Sequence, residues 1–146
     1  MVNLSIFVER LKEYMSEHNL NATALAPKIG VSRITLSALL NGVHLPSTKV
    51  IIALVEYFNC SADYLLGLVD YPKATDFKQI KPFGEILRKL LKENGKSEYR
   101  LQKDLNVSRS LTYRWLNGLA LPSVDSLVKL SEYFCCSVDY LLGRQN

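Results

Sequence analysis

Residues 107–118 read Val-Ser-Arg-Ser-Leu-Thr-Tyr-Arg-Trp-Leu-Asn-Gly, a short basic segment that starts and stops like a helix. Ser108 is a favourable N-cap and Asn117-Gly118 is a common end signal, which predicts a helix of about two and a half turns. One face of this helix would carry side chains that can donate hydrogen bonds: Arg109, Ser110, Tyr113 and Arg114. The apolar side chains recur at spacings that turn them towards a core: Leu111, Trp115 and Leu116. The segment therefore predicts a helix that a domain holds and presents to a partner.

The same pattern occurs twice in the chain. Gly118 lies 76 residues after Gly42, and that shift makes about 25 of about 61 aligned positions identical without a gap. The shared motifs are Val-Ser-Arg (31–33 and 107–109), Leu-Asn-Gly (40–42 and 116–118), Leu-Pro-Ser (45–47 and 121–123), Glu-Tyr-Phe (56–58 and 132–134) and Asp-Tyr-Leu-Leu-Gly (63–67 and 139–143). The repeat predicts two copies of one domain, residues 1–67 and 82–146, joined by a linker at 68–81.

Each copy has the apolar spacing and the cap residues of five short helices, so we predict an all-α fold. The predicted N-caps of the later helices are Asn21, Ser32, Ser47 and Ser61 in the first copy and Ser97, Ser108, Ser123 and Ser137 in the second. Gly30 and Asn106 occupy the same place after the second helix, and both residue types suit a left-handed turn. Pro27 falls inside the second helix of the first copy, where it removes a backbone hydrogen bond and is expected to shorten or kink that helix.

The net charge of +4 is distributed unevenly over the 146 residues. Residues 1–70 hold five Lys/Arg and six Asp/Glu, a net charge of −1, whereas residues 71–146 hold 13 and eight, a net charge of +5. A polyanion is therefore expected to be drawn to the second half of the chain.

Several other classes of protein find no support in the composition. Three cysteines without a C-x-x-C pair indicate neither a disulfide framework nor a zinc site. The two histidines stand at element ends without the neighbours of a metal or hydrolase site, so we expect no enzyme, no metal and no cofactor. The apolar run 50–55 is too short to span a bilayer and the N-terminus lacks a leader pattern. We expect a cytoplasmic protein without a small-molecule ligand.

A helix, a short turn carrying Gly or Asn, and a second helix opened by Ser follow the helix-turn-helix plan. Residues 29–33 (Ile-Gly-Val-Ser-Arg), with the Leu-Asn-Gly, Leu-Pro-Ser and Asp-Tyr-Leu-Leu-Gly motifs after them, resemble the phage-repressor and Cro-like (lambda-repressor-like) DNA-binding domains. Residues 83–143 resemble the same family again. The resemblance implies that the third helix of each copy enters the major groove of double-stranded DNA, and that dimers bind half-sites about 34 Å apart. It implies a sequence-specific transcriptional regulator, in our interpretation a repressor.

The resemblance also implies which residues face DNA. In the second copy these are Ser108, Arg109, Ser110, Leu111 and Arg114, with Tyr113 on the same helix and with charge added by Arg100 and Lys103. In the first copy they are Ser32, Arg33, Ile34, Thr35 and Ala38. Arginine can bind phosphate or read guanine with two hydrogen bonds, whereas Ile34 and Ala38 can only touch thymine methyl groups, so we expect the second copy to be the stronger DNA binder.

Two departures from the family concern the start of the second helix. The family usually has Gln just inside this helix, and here Ala22 and Glu98 stand there. Ala22 cannot make the contact, and Glu98 is expected to repel phosphate unless a neighbour such as Arg100 pairs with it.

Different modes of action remain open at this point. The two copies could read two half-sites as an intramolecular pseudo-dimer, or the second copy could bind DNA while the first packs against it or against another chain in a homodimer. The competing class is a protein-interaction module, antitoxin-like or antirepressor-like, that uses the same surfaces to bind a protein. For Trp115, a core role under the presented helix is favoured over base stacking.

Overall fold

The computed structural model describes residues 2–72 and 81–144, and over these ranges every regular element is a helix. The chain divides into two compact units, Met1–Asp76 (unit 1) and Phe77–Asn146 (unit 2). The division falls within the predicted linker, of which residues 73–80 lie outside the described residues. None of the described helices has the length and hydropathy needed to cross a bilayer.

Both units follow the same order of five helices. Unit 1 contains α1 (Leu4–Glu17), α2 (Ala22–Lys28), α3 (Arg33–Leu40), α4 (Thr48–Phe58) and α5 (Ala62–Leu65). Unit 2 contains α6 (Phe83–Glu93), α7 (Glu98–Leu105), α8 (Arg109–Leu116), α9 (Val124–Phe134) and α10 (Val138–Leu141). The prediction of an all-α chain with tandem five-helix domains is confirmed.

Side-chain caps explain where these short helices begin. All eight predicted N-cap residues accept a hydrogen bond from the backbone N–H three positions later. Each cap satisfies one of the N–H groups that a helix start leaves without a partner, and is worth about 1 kcal/mol. Capping matters here because helices of four to eleven residues are too short to be stable on their own.

Each unit has its own apolar core. In unit 1, Phe7 and Leu11 of α1 are buried with Leu25, Leu36 and Ile51 from the next three helices. The corresponding core of unit 2 contains Leu87, Leu101, Trp115, Leu127 and Leu141. Burial of side chains of this size contributes roughly 1.5–3 kcal/mol each, which offsets the entropy lost in ordering the short helices.

Pro27 coincides with a local difference between the two units. Helix α2 has seven residues and ends at Lys28, one residue before the predicted end at Ile29, whereas α7 has eight residues and ends at Leu105. The proline lacks an N–H for the helical ladder, yet α2 continues through it to Lys28.

Candidate nucleic-acid interface

Helices α7 and α8 of unit 2 are joined by a three-residue turn, 106–108. Asn106 adopts the predicted left-handed conformation with φ 54°, and the N–H of Val107 donates to the carbonyl oxygen of Gln102 at 3.0 Å. Ser108 then starts α8 by accepting from the N–H of Leu111 at 3.1 Å. The turn therefore changes the direction of the chain between the two helices, as in a helix-turn-helix pair.

Helix α8 is fixed to unit 2 through its inner face. The Trp115 side chain is 1% exposed and meets the Phe83 ring edge-on, with ring centroids 6.3 Å apart. Thr112 is fully buried and its hydroxyl donates to the carbonyl oxygen of Ser108 at 3.0 Å. Trp115 thus takes the core role predicted for it, and Thr112 is an inner-face residue that the apolar pattern missed because it is polar.

The outer face of α8 carries most of the predicted site residues. Ser108, Arg109, Ser110 and Arg114 are exposed, and Tyr113 is 58% exposed. Leu111 is half-buried, so the prediction that it packs inward holds only in part, and the rest of its side chain stays on the outer side. These exposed side chains supply guanidinium, hydroxyl and phenol donors along a helix of eight residues.

On α7, the partner of Arg100 differs from the one that the sequence suggested. The Arg100 Nε donates to the Asp104 carboxylate at 3.2 Å, so Arg100 pairs with Asp104 and not with Glu98. The spacing of four residues, one helical turn, favours this pair. Glu98 lies in the first turn of α7, where a carboxylate is stabilised by the helix dipole.

Asp104 also connects α7 to α9. The Tyr133 hydroxyl donates to the same carboxylate oxygen at 2.6 Å. This hydrogen bond, together with the positive charges of Arg100 and Lys96, lowers the pKa of Asp104. Desolvation, followed by the interaction with Asp104, raises the pKa of Tyr133. Asp104 therefore remains charged and offsets part of the positive charge of Arg100 next to the candidate interface.

Lys103 is exposed, and it has an aromatic neighbour that the sequence reasoning did not select. Its Nζ lies 5.3 Å from the centroid of the Tyr99 ring, which is 64% exposed. The supporting helix α7 therefore carries an exposed phenol in addition to that of Tyr113 on α8. The sequence feature that could have identified Tyr99 is the run Tyr99-Arg100, an aromatic residue within a basic segment.

The corresponding surface of unit 1 has fewer donors that point outward. Ser32 caps α3 by accepting from the N–H of Thr35 at 3.0 Å, and its hydroxyl donates to the Thr35 hydroxyl at 2.9 Å. Arg33 is exposed, but its neighbour Ile34 is 83% exposed and apolar. The exposed surface of α3 is therefore less basic and more apolar than that of α8.

Arg10, a cation of unit 1, makes its hydrogen bonds within that unit. Arg10 is partly buried; its Nη1 donates to the carbonyl oxygen of Tyr64 and, at 2.8 Å, to that of Val69. The guanidinium also lies 3.9 Å from the centroid of the Tyr64 ring. Arg10 stabilises unit 1 but adds little to an interface with a polyanion.

Within the described ranges no group of three or more His, Cys, Asp or Glu side chains is arranged to hold a metal ion. The exposed side chains of the helix pair α7 and α8 are mainly those of arginine, lysine, serine and tyrosine. The fold is that of tandem helix-turn-helix domains.

Comparison with known proteins agrees with this class. The family model for helix-turn-helix domains matches the chain twice, at residues 11–65 and 87–141. The chain belongs to this family of Cro/C1-type helix-turn-helix proteins, whose members are DNA-binding regulators. No curated protein and no solved structure matches the chain.

Proposed function

We propose that this chain is a transcriptional repressor that recognises a specific DNA sequence mainly through helix α8 of unit 2. The observation that carries the proposal is the contrast between aligned outward residues: Arg114 and Ser110 on α8 stand where α3 has Ala38 and Ile34. In the family geometry these positions reach base edges in the major groove. Guanidinium and hydroxyl groups can read bases there by hydrogen bonding, whereas Ile34 and Ala38 offer only apolar contact.

The proposed roles divide between base reading and backbone binding. Arg109 and Arg114 are the candidates for reading guanine, with Tyr113 and Leu111 beside them. Ser108 and Ser110 lie at the start of α8, where hydroxyl groups and the helix dipole favour a phosphate. Lys103 and Arg100 add positive charge from α7, that of Arg100 being partly offset by Asp104. In unit 1, Ser32, Arg33 and Thr35 form the weaker counterpart.

Repression requires only that the bound chain occupy DNA that the transcription machinery needs. A dominant unit 2 favours operators on which two chains supply one α8 each, as a homodimer on two half-sites. The pseudo-dimer, in which both units of one chain read DNA, predicts equal importance of α3 and α8 instead.

Alanine substitution in the full chain separates these modes. Replacing Arg109 or Arg114 is expected to weaken binding to the selected duplex by about 1–3 kcal/mol for each base-reading arginine that is removed. Arg33→Ala is the matched control, since Arg33 aligns with Arg109, and its effect is expected to stay below about 1 kcal/mol. The measurement is a titration of labelled duplex, chosen by selection from a random-sequence pool with the unmodified chain.

Two outcomes would contradict the proposal. Equal weakening by Arg33→Ala and Arg109→Ala would favour the pseudo-dimer over a dominant unit 2. Failure of the unmodified chain to enrich any duplex, even at low salt, would favour a surface that binds protein. DNA binding is also expected to weaken steeply with added salt because bound counterions are released, whereas apolar docking is not.

A further inference from the structure

The first turn of α6 lies against the C-terminal end of α8. A Cβ atom built on Gly84 would lie 2.6 Å from the carbonyl oxygen of Leu116 and 2.8 Å from that of Trp115. Such distances are far below normal contact, and the neighbouring atoms are backbone atoms that cannot turn away. Gly84 is therefore the residue that allows α6 to approach the end of α8.

One turn later on the same helix, Arg88 binds the same end of α8. Its Nη2 donates to the carbonyl oxygen of Leu116 at 3.3 Å and to the Asn117 side-chain oxygen at 3.4 Å. The Asn117 side-chain amide in turn donates to the carbonyl oxygen of Tyr113 at 2.8 Å. These donors serve carbonyl groups of the last turn, some of which the helix itself leaves without a partner. The guanidinium also places positive charge at the negative end of the helix dipole.

In unit 1, different residues stand at these two positions of the first helix. The aligned residues of α1 are Val8 and Lys12. Lys12 is exposed and makes no hydrogen bond to α3 within the described ranges. Both hydrogen bonds of Arg88 come from Nη2, and a lysine side chain is one atom shorter than an arginine side chain measured to that nitrogen.

We propose that Gly84 and Arg88 are positioning residues that fix the last turn of α8 and thereby the direction in which Tyr113 and Arg114 project. The inference rests on the proposed DNA reading by α8, and it adds a reason why unit 2 reads DNA more strongly than unit 1. Arg88 acts through α8 and not by contact with DNA. The alternative is that Arg88 binds a DNA phosphate directly. The salt dependence of binding distinguishes this alternative from the positioning role.

The test uses the full chain with Arg88→Met and Arg88→Lys, and with Lys92→Met as the matched control. Lys92 is an exposed cation of the same helix, one turn from Arg88, so this variant removes one charge without touching α8. The probes are the duplex that the unmodified chain enriches from a random-sequence pool and a duplex of the same composition in scrambled order. Selectivity is the ratio of the two affinities, measured across a series of salt concentrations.

Arg88→Met is expected to lower selectivity about fivefold or more, comparable to the removal of one base-reading side chain, with an unchanged slope of log affinity against log salt. Arg88→Lys is expected to lower selectivity too, and Lys92→Met to retain it. The proposal is overturned if Arg88→Met leaves selectivity intact, if it only makes the salt slope shallower by about one, as for a phosphate-binding residue, or if Arg88→Lys restores selectivity fully.

Hydrogen exchange in the free chain supplies a readout that needs no DNA. In Arg88→Met, the amides of Leu116 and Asn117 at the end of α8 are expected to exchange faster than in the unmodified chain, and in Lys92→Met to exchange at the original rate. Unchanged exchange in Arg88→Met would overturn the positioning role. If the unmodified chain enriches no duplex, the proposed function fails, while this measurement still decides whether Arg88 fixes α8.

Discussion

Arg100, Asp104 and Tyr133 form a small polar cluster beside the candidate interface. The Tyr133 hydroxyl donates to the Asp104 carboxylate, which also accepts from Arg100 one turn earlier on α7. The aligned residues of unit 1 are Ala24, Lys28 and Tyr57, and there the Lys28 Nζ lies 5.9 Å from the centroid of the Tyr57 ring. In unit 2, α7 and α9 are thus connected by a hydrogen bond to a carboxylate. In unit 1, the corresponding helices α2 and α4 are connected by a contact between a lysine and an aromatic ring.

This difference predicts a measurable pKa shift. Since the hydrogen bond from Tyr133 is the main reason for the lowered pKa of Asp104, Tyr133→Phe is expected to raise that pKa towards its ordinary value of 3.8. Because the folded pKa lies below the ordinary one, the stabilising contribution is complete above pH 3.8 and is lost as the pH falls through the folded pKa. Titration of the Asp104 carboxyl carbon by NMR measures the shift. Tyr57→Phe is the control, and an unchanged Asp104 midpoint in Tyr133→Phe would contradict the assignment.

At the level of helices, the turn before the presented helix needs one left-handed residue. Gly30 has φ 70° in unit 1 and Asn106 has φ 54° in unit 2. Residues with a Cβ are disfavoured in this conformation, and asparagine is one of the few that tolerate it. The turn sets the direction in which α8 leaves α7. Backbone strain at the left-handed residue of this turn therefore lowers the stability of the helix pair.

Asn106→Ala is therefore expected to destabilise unit 2 by about 1 kcal/mol, whereas Asn106→Gly is expected to change its stability by a few tenths at most. Trp115 is the only tryptophan of the chain and is buried in unit 2, so its fluorescence during denaturant unfolding reports this unit. Equal unfolding midpoints for the alanine and glycine variants would show that the left-handed conformation is not the source of the effect.

For the whole molecule, positive charge is concentrated in the half that holds α8. Residues 1–70 have a net charge of −1 and residues 71–146 a net charge of +5. In unit 1, the guanidinium of Arg10 is also engaged in hydrogen bonds within the unit. Four basic residues of unit 2 lie on the helix pair of the candidate interface: Arg100, Lys103, Arg109 and Arg114. Electrostatic attraction of DNA is therefore expected to act mainly on unit 2.

Salt dependence of the full chain tests this asymmetry. The double variant Arg100→Ala and Lys103→Ala is expected to reduce the slope of log affinity against log salt by up to about two, one for each phosphate-binding cation removed. The matched double variant Lys28→Ala and Arg33→Ala, which removes two cations from unit 1, is expected to leave the slope unchanged. A comparable reduction in both variants would mean that both units neutralise phosphates.

The helices and their caps could be predicted largely from the sequence. The 76-residue repeat is visible by comparing the sequence with itself, and the eight N-caps and the left-handed Gly30 and Asn106 depend on neighbours within a few positions. Together these patterns predicted ten helices close to their observed bounds. The predicted exposure of Arg109 and Arg114 follows from the same helical spacing. Whether these residues read DNA stays a prediction.

Packing supplied what the pattern could not. Tyr133 reaches Asp104 across 29 positions, Arg88 reaches Leu116 across 28, and Gly84 is required only because the backbone of α8 lies against it. The half-buried position of Leu111 likewise depends on what surrounds α8, since the periodicity of one helix fixes directions and not neighbours. Contacts between distant segments arise when several helices bury their apolar faces together, and no single segment of the sequence contains that information.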